Sequence, residues 1–231
     1  DVFTALHGGK MAVLSAATRQ LHGVIDVRGE VRGMAVLGEA RQAVVAVATG
    51  SEGFIGQLEL SPHRLVVRRP LPGTPLPGTL VVDAAHDRGA VALTDASGRS
   101  SLALVGLRSG APPSLIPLQS EPCALALESS GEFLYAALPV ESEVAIIDVA
   151  ERRVIECLPM AGKPYQLEAE PGSRRVWAFC EGLGHAALID PRRHGVVRRL
   201  FTPGARRDDN RLVFSPEGRL LALPERDGQC I

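Results

Sequence analysis

The sequence predicts an all-β protein, and within that class a β-propeller with about five to six four-stranded blades. The first observation is an internal repeat, because Pro122 recurs as Pro164 and Asp148 recurs as Asp190, each 42 residues later. The second is that each copy contains four short apolar runs separated by turn residues. A repeated four-strand unit of about 40–50 residues is typical of a propeller blade. The third is that no long segment shows the apolar period of 3.6 residues that a helix requires.

The chain is expected to form a single β-propeller domain over residues 1–231. The spacing of the apolar runs places the blades at 1–31, 32–76, 77–120, 121–162, 163–205 and 206–231, the last being partial. Two alternatives stay open for the ring. It closes by pairing strands from the two chain ends in one blade, or the chain is a fragment of a larger propeller.

The first two blades are expected to differ from the repeat. Blade one has apolar runs at 3–6, 11–16 and 23–27, and Met11 and Asp26 have the same 15-residue spacing as Phe133 and Asp148 in the repeat. Blade two has runs at 34–37, 43–48, 54–60 and 65–67. Its first run follows Asp26 too soon for another strand, so an outer strand is predicted to be missing or shortened between these blades.

The remaining blades follow in order. A Pro-rich segment at 70–78 is expected to connect blades two and three rather than to link two domains. Blade three has runs at 80–84, 90–94, 102–107 and 114–118, with turn-forming residues at 86–89 and 96–99. Blades four and five are the two copies of the repeat. The sixth has runs at 211–214 and 219–223 and amounts to half a blade.

The units resemble the YVTN-type propeller repeat, which runs from a Pro through a Ser-Pro-Asp-Gly-like turn to a Leu-Tyr-Val strand and a Val-Ile-Asp strand. The matching elements are Pro122, Ser130-Gly131, Phe133-Leu134-Tyr135 and Ile146-Ile147-Asp148, then Pro164, Glu170-Pro171-Gly172, Val176-Trp177-Ala178 and Leu188-Ile189-Asp190, and finally Ser215-Pro216-Glu217-Gly218. Blades two and three depart from the pattern, with Leu58-Glu59 and Val105-Gly106 in place of the Ile-Asp pair. The resemblance implies a propeller fold and an extracytoplasmic (periplasmic) location in bacteria. It does not imply one function, because a single fold hosts many activities.

Composition and charge exclude some partners. The net charge of −1 provides no field that would attract nucleic acid or an anionic membrane, so no nucleic-acid partner is predicted. No run of about 20 apolar residues exists, so no transmembrane segment is predicted. The chain begins at Asp1, which leaves open a removed leader or a longer parent protein. Six Arg-Arg pairs occur, and they are interpreted as residues of turns and strand ends, the alternative being a binding patch for phosphate or carboxylate.

The cysteines and histidines do not form a recognisable metal motif. None of Cys123, Cys157, Cys180 and Cys230 is part of a C-x-x-C pair, and the sequence does not decide between disulfides and thiols. The six histidines fall mostly in predicted hairpin loops. The segment 182–187 matches G-x-G-x-x-A, but it leads into a strand and is interpreted as a hairpin turn rather than a dinucleotide site. No cofactor is predicted.

One candidate ligand site follows from the position of the inner strands. The first strand of each propeller blade lines the central channel, so residues where these strands begin would surround the channel mouth. They are Cys123, Tyr165 and Arg211, with Thr79 and Arg32 placed less securely. Convergent polar groups at a pocket mouth make a ligand site, so a small ligand at the central channel is one hypothesis. The alternative is that these residues only complete the strand ends.

The sequence favours a non-enzymatic binding or scaffolding propeller, a domain or accessory subunit of a larger assembly whose partner is another protein or subunit. The alternative is a propeller enzyme or cofactor carrier, either a lactonase-like metal-dependent hydrolase or a haem-binding relative. An enzyme requires Asp, Glu or His side chains that converge on the channel. A scaffold requires an exposed apolar or Arg-rich patch on a face or rim.

Overall fold

The fold consists of short antiparallel strands joined by tight turns. The computed structural model describes residues 2–6, 8–15, 17–37, 42–60, 62–181, 185–193, 195–201, 213–215 and 221–222. Within these residues the strands are β1 (Val2–Leu6), β2 (Lys10–Leu14), β3 (Leu21–Asp26), β4 (Glu30–Leu37), β5 (Gln42–Ala48), β6 (Gly53–Leu60), β7 (His63–Leu71), β8 (Thr74–Asp83), β9 (Arg88–Thr94), β10 (Ser100–Gly106), β11 (Ser114–Pro117), β12 (Ala124–Leu127), β13 (Phe133–Leu138), β14 (Glu143–Asp148), β15 (Arg153–Pro159), β16 (Pro164–Ala169), β17 (Val176–Cys180), β18 (His185–Asp190), β19 (Gly195–Phe201), β20 (Val213–Phe214) and β21 (Leu221–Ala222). The helical content of this part of the chain is one 3-10 turn, Pro191–Arg193.

The described strands form six sheets in chain order. The first sheet has three strands, β1-β2-β3, the next four sheets have four strands each, and the sixth has β20 and β21. This confirms the all-β prediction, and within the described residues the first sheet lacks a fourth strand, as expected for the first blade. Chain contacts divide the protein into two compact units, 1–115 and 116–231, and the boundary falls within β11.

The middle strands of the sheets are rich in apolar residues, and those of the second sheet have sheets packed on both faces. In β13 and β17 nearly every side chain is buried. The outer strands β7, β15 and β19 alternate or are mostly exposed. One core cluster packs the fourth sheet on the fifth, and two others pack the second sheet on the first and on the third. Their members are mainly Val, Leu, Ile and Ala, as the low aromatic content of 4% requires.

The turn after β9 shows how local residue chemistry sets these connections. The Asp95 carboxylate accepts hydrogen bonds from the backbone N–H groups of Ser97 (2.8 Å) and Arg99 (3.0 Å). Gly98 adopts φ +79°, a conformation that costs glycine little. The hydrogen bonds from the Ser97 side chain and the Arg99 backbone lower the pKa of Asp95. This is the hairpin predicted at 96–99.

The Pro-rich segment at 70–78 joins the second sheet to the third, as predicted, but most of it is strand rather than an extended loop. Pro70 ends β7 together with Leu71, and β8 already begins at Thr74. The pairing of β8 with β9 shifts between Pro75 and Leu80. A proline has no N–H to donate to a neighbouring strand, so prolines are tolerated where the ladder is interrupted.

Candidate functional site

Cys123 and Tyr165, two of the three predicted channel-mouth residues, line one pocket of about 250 Å³ in the second unit. Cys123 comes directly before β12, and Tyr165 is the second residue of β16. The Cys123 backbone N–H donates to the carbonyl oxygen of Ala137 (3.1 Å), and its thiol donates to that of Pro164 (3.3 Å). The start of β12 and the start of β16 are therefore held together at the pocket. Arg211, the third predicted residue, lies outside the described residues.

The walls of this pocket are chemically mixed. The other lining residues are Pro139, Val140, Lys163, Pro164 and Glu181. The Tyr165 ring packs in a cluster with Trp177 and Phe179, and its hydroxyl has no hydrogen-bond partner within the described part of the chain. Burial raises the pKa of Tyr165, so the phenol is protonated at neutral pH. The pocket offers a cation, an anion and a thiol beside apolar surface, which suits a small polar molecule. That it binds one stays a prediction.

Thr79, a less secure candidate for the same ring, has a local role instead. It is fully buried within β8, where its hydroxyl donates to the carbonyl oxygen of Leu76 (2.8 Å) and accepts from the backbone N–H of Ala92 (3.2 Å). The hydroxyl therefore bridges the interruption in the β8 ladder. Arg32 lies in β4 and forms an ion pair with Glu30 (2.7 Å).

Buried Glu128 organises the turn between β12 and β13. Its carboxylate accepts hydrogen bonds from the backbone N–H groups of Ser130 (2.8 Å), Glu132 (2.9 Å) and Phe133 (3.1 Å), and from the Ser130 hydroxyl. Arg174, in the equivalent turn of the next sheet, lies 3.7 Å from this carboxylate and pairs with Glu132. Its guanidinium also donates to the Ser130 hydroxyl at 2.8 Å. These contacts fasten the fourth sheet to the fifth, which is a structural role.

The histidine prediction is partly wrong, because His22, His63 and His185 lie in strands rather than in hairpin loops. His86 lies in the turn after β8, where its ring nitrogen is 2.5 Å from the carboxylate of Asp83. His7 and His194 lie outside the described residues, as do positions 182–184 of the G-x-G-x-x-A segment. The ring centres of His22 and His63 are 6.4 Å apart, so β3 and β7 lie close together at this point.

A second candidate site, called here the β3–β7 surface, consists of Leu21, Val24, Asp26, Arg28, His63, Arg64, Val66 and Arg68. Between the two strands lies an open cleft of about 310 Å³. Leu21, Val24 and Val66 expose 59%, 46% and 40% of their surface, which is high for large apolar residues in strands. The pairing of β7 with β6 skips Val66, so a β-bulge in β7 turns part of this strand outward.

The cations of this surface are held at the cleft by short-range contacts. The Arg68 guanidinium lies 4.0 Å from the centre of the Phe54 ring. The Arg64 Nε lies 2.7 Å from a Glu59 oxygen, and this carboxylate raises the pKa of Arg64. The Arg28 Nε lies 3.7 Å from Asp26. Three guanidinium groups and one imidazole therefore surround a cleft whose lining includes a single carboxylate, that of Asp26.

This surface does not follow from the sequence interpretation of the Arg-Arg pairs as residues of turns and strand ends. Arg68-Arg69 lies inside β7 and Arg198-Arg199 lies inside β19, so that interpretation is wrong for both pairs. The short spacing between Asp26 and Met34 was the available signal. It showed that a strand was missing beside the first blade, and hence that β3 would lack the cover that a fourth strand provides.

Further properties of the described residues bear on the chemistry. No group of three or more His, Cys, Asp or Glu side chains in this part of the chain is arranged to hold a metal ion. Cys157 and Cys180 carry free thiols, and burial raises the pKa of Cys180 to about 11. The regions that the structure describes contain no helix with the length and apolar character needed to cross a bilayer.

Comparison with known proteins gives structural matches only. No protein-family model and no curated protein matches the chain. Hydrazine synthase of Kuenenia stuttgartiensis matches with a TM-score of 0.76 and 15% identity, over 99% of this chain and 79% of that one. A functionally unknown protein from Desulfotomaculum acetoxidans matches with a TM-score of 0.79 and 10% identity, over 97% and 75%. A chain of the mitotic checkpoint complex matches with a TM-score of 0.76 and 11% identity, over 99% and 69%.

These neighbours include β-propellers, and they cover nearly the whole of this chain. They include both an enzyme and a member of a protein complex, and at such low identity the likeness concerns the fold rather than the activity. The sheets of consecutive antiparallel strands and the structural neighbours together show that the chain has the β-propeller fold.

Proposed function

We propose that this protein is a non-enzymatic binding or scaffolding propeller that acts as a domain or accessory subunit of a larger assembly. In this proposal residues 1–231 form one domain with the blade boundaries given above, and the blades are of the YVTN type. The partner is another protein or subunit. The member of the mitotic checkpoint complex among the structural neighbours supports the protein-binding role.

The observation that carries the proposal is the β3–β7 surface. It combines exposed Leu21 and Val24 with a row of arginines. Arginine is enriched at protein interfaces because its guanidinium supplies contact area together with directed hydrogen bonds, and an exposed apolar patch marks an interaction site. A scaffold is expected to have an exposed apolar or Arg-rich patch, whereas an enzyme is expected to have Asp, Glu or His side chains converging on the channel.

The second candidate function is that of a propeller enzyme or cofactor carrier, including a lactonase-like hydrolase or a haem-binding protein. The pocket lined by Cys123 and Tyr165 supports it, because it groups polar side chains at the ends of two inner strands. Hydrazine synthase among the structural neighbours also supports it. The site would then take a small molecule rather than a protein.

Photo-crosslinking in the native host tests the proposed function. A benzoylphenylalanine replaces Val24 or Val66 on the surface, Val140 at the pocket, or Leu115 as an exposed apolar control. We expect one protein to be crosslinked from Val24 and Val66 and not from Leu115. Equal crosslinking from Leu115 would contradict the proposal. Elemental analysis and an absorption spectrum of the purified protein complete the test, since stoichiometric metal or a chromophore would favour the second function.

A further inference from the structure

We propose that an extended, acidic segment of the partner pairs with β3 and completes the first sheet as its fourth strand. This inference rests on the proposed function and names the chemistry of the partner at the β3–β7 surface. It follows from two independent features of the first unit, namely the strand count of the first sheet and the charge of the adjacent cleft.

The first feature is the outer edge of β3. Among the residues that the structure describes, the sheet order β1-β2-β3 ends at β3, whereas the second to fifth sheets each have a fourth strand. Alternate residues of an edge strand direct their backbone N–H and C=O groups away from the sheet, where they can pair with another chain. β3 has six residues, and the fourth strands of the other large sheets, β7, β11, β15 and β19, have four to nine. A partner segment of about six residues therefore fits this edge.

The second feature is charge. The cleft beside β3 is lined by Arg28, Arg64 and Arg68 together with His63. The carboxylates beside these groups are that of Asp26 in the lining and that of Glu59, which pairs with Arg64. The guanidinium group binds a carboxylate through two parallel hydrogen bonds. The existing ion pairs of Arg28 and Arg64 are exposed, and exposed pairs contribute little stability. These arginines can therefore exchange their present partners for the carboxylates of a bound segment.

Together the two features specify the partner. Main-chain pairing gives affinity to any extended segment, and the side chains beside it give specificity. Exposed Leu21 and Val24 on β3 favour cross-strand neighbours that are aliphatic or β-branched. The predicted segment therefore combines Glu or Asp with Val, Ile or Thr over about six residues, and it lacks Pro.

Selection from displayed random dodecapeptides tests this inference. The bait is the full chain, and the comparison variant is Arg64→Ser/Arg68→Ser. The matched control is Arg99→Ser/Arg153→Ser, which removes two exposed, ion-paired arginines elsewhere. We expect acidic, β-forming peptides to be enriched. They should bind wild type and the control at least tenfold more tightly than the Arg64/Arg68 variant, and thermal unfolding checks that all three proteins are folded.

Two further measurements separate strand pairing from simple charge attraction. A bound peptide should slow amide hydrogen exchange within Leu21–Asp26. N-methylation of alternate amides along one edge of the peptide should abolish binding, while N-methylation along the other edge should not. Neutral or basic enriched peptides, equal binding to the Arg64/Arg68 variant, no slowing of exchange, or an oligonucleotide bound as tightly as the peptide would each overturn the inference. Crosslinking from Val24 would persist after such a failure, so loss of this inference is distinguishable from loss of the proposed function.

Discussion

Replacing Glu128 by Ala should lower the free energy of unfolding of the second unit by about 3–5 kcal/mol. Its buried carboxylate accepts three backbone hydrogen bonds, from Ser130, Glu132 and Phe133, and lies 3.7 Å from the Arg174 guanidinium. These N–H groups are partly buried, and each one left without an acceptor costs about 1–2 kcal/mol. Arg174 keeps Glu132 and Ser130 as partners, so the loss of its contact with Glu128 adds little. Glu128→Gln keeps one acceptor oxygen and should lose about half as much.

The assay is urea unfolding followed by tryptophan fluorescence. Trp177 is the single tryptophan of the chain, and it is buried in the fifth sheet, in the same unit as Glu128. Glu132→Ala is the matched control, because Glu132 also pairs with Arg174 but is largely exposed and should cost no more than about 1 kcal/mol. A Glu128→Ala protein within about 1 kcal/mol of wild type would refute the argument that this carboxylate holds the turn.

Other substitutions test separate parts of the fold. Burial raises the pKa of Cys180 from 9.0 to about 11. The free energy of unfolding should therefore fall by up to about 2.7 kcal/mol as the pH rises from 9 to 11, because the thiol ionises more readily in the unfolded chain. Cys180→Ala should flatten this part of the profile of unfolding free energy against pH, and parallel profiles of variant and wild type would contradict the prediction. Tyr135→Phe removes a buried hydroxyl that lacks a partner within the described residues. The free energy of unfolding should therefore rise by about 1 kcal/mol, measured as a higher midpoint in urea unfolding. Gly29→Ala would place a Cβ 2.6 Å from the carbonyl oxygen of Ala48 and should cost about 1–3 kcal/mol in thermal unfolding, whereas Gly110→Ala meets nothing within 4 Å and should be neutral.

Much of the fold could be predicted because the repeat marks strands and turns at the same time. The apolar runs from Phe133 to Asp148 became β13 and β14, and Arg175 to Asp190 spans β17 and β18. The Pro-rich segment was harder, since proline is common in connections yet also occurs where a ladder is interrupted. Pro75 belongs to a strand because it pairs with β9, and this long-range pairing is not visible in the sequence.

The sequence predicts one of the two candidate sites and not the other. Cys123 and Tyr165 could be placed together because both follow from the position of the inner strands in the repeat. The β3–β7 surface could not, because it depends on a bulge at Val66 and on the approach of His63 to His22. Both are consequences of how two sheets pack. No periodic pattern in the chain reports such an irregularity.

The pairing of Glu132 with Arg174 has a consequence for how this protein could have arisen. The two residues occupy the same position of the repeat, 42 residues apart, yet carry opposite charges. A tandem copy of either repeat alone would bring two carboxylates or two guanidinium groups together at that junction. The two repeats are therefore not interchangeable at this position, because the pair forms only when the Glu repeat precedes the Arg repeat.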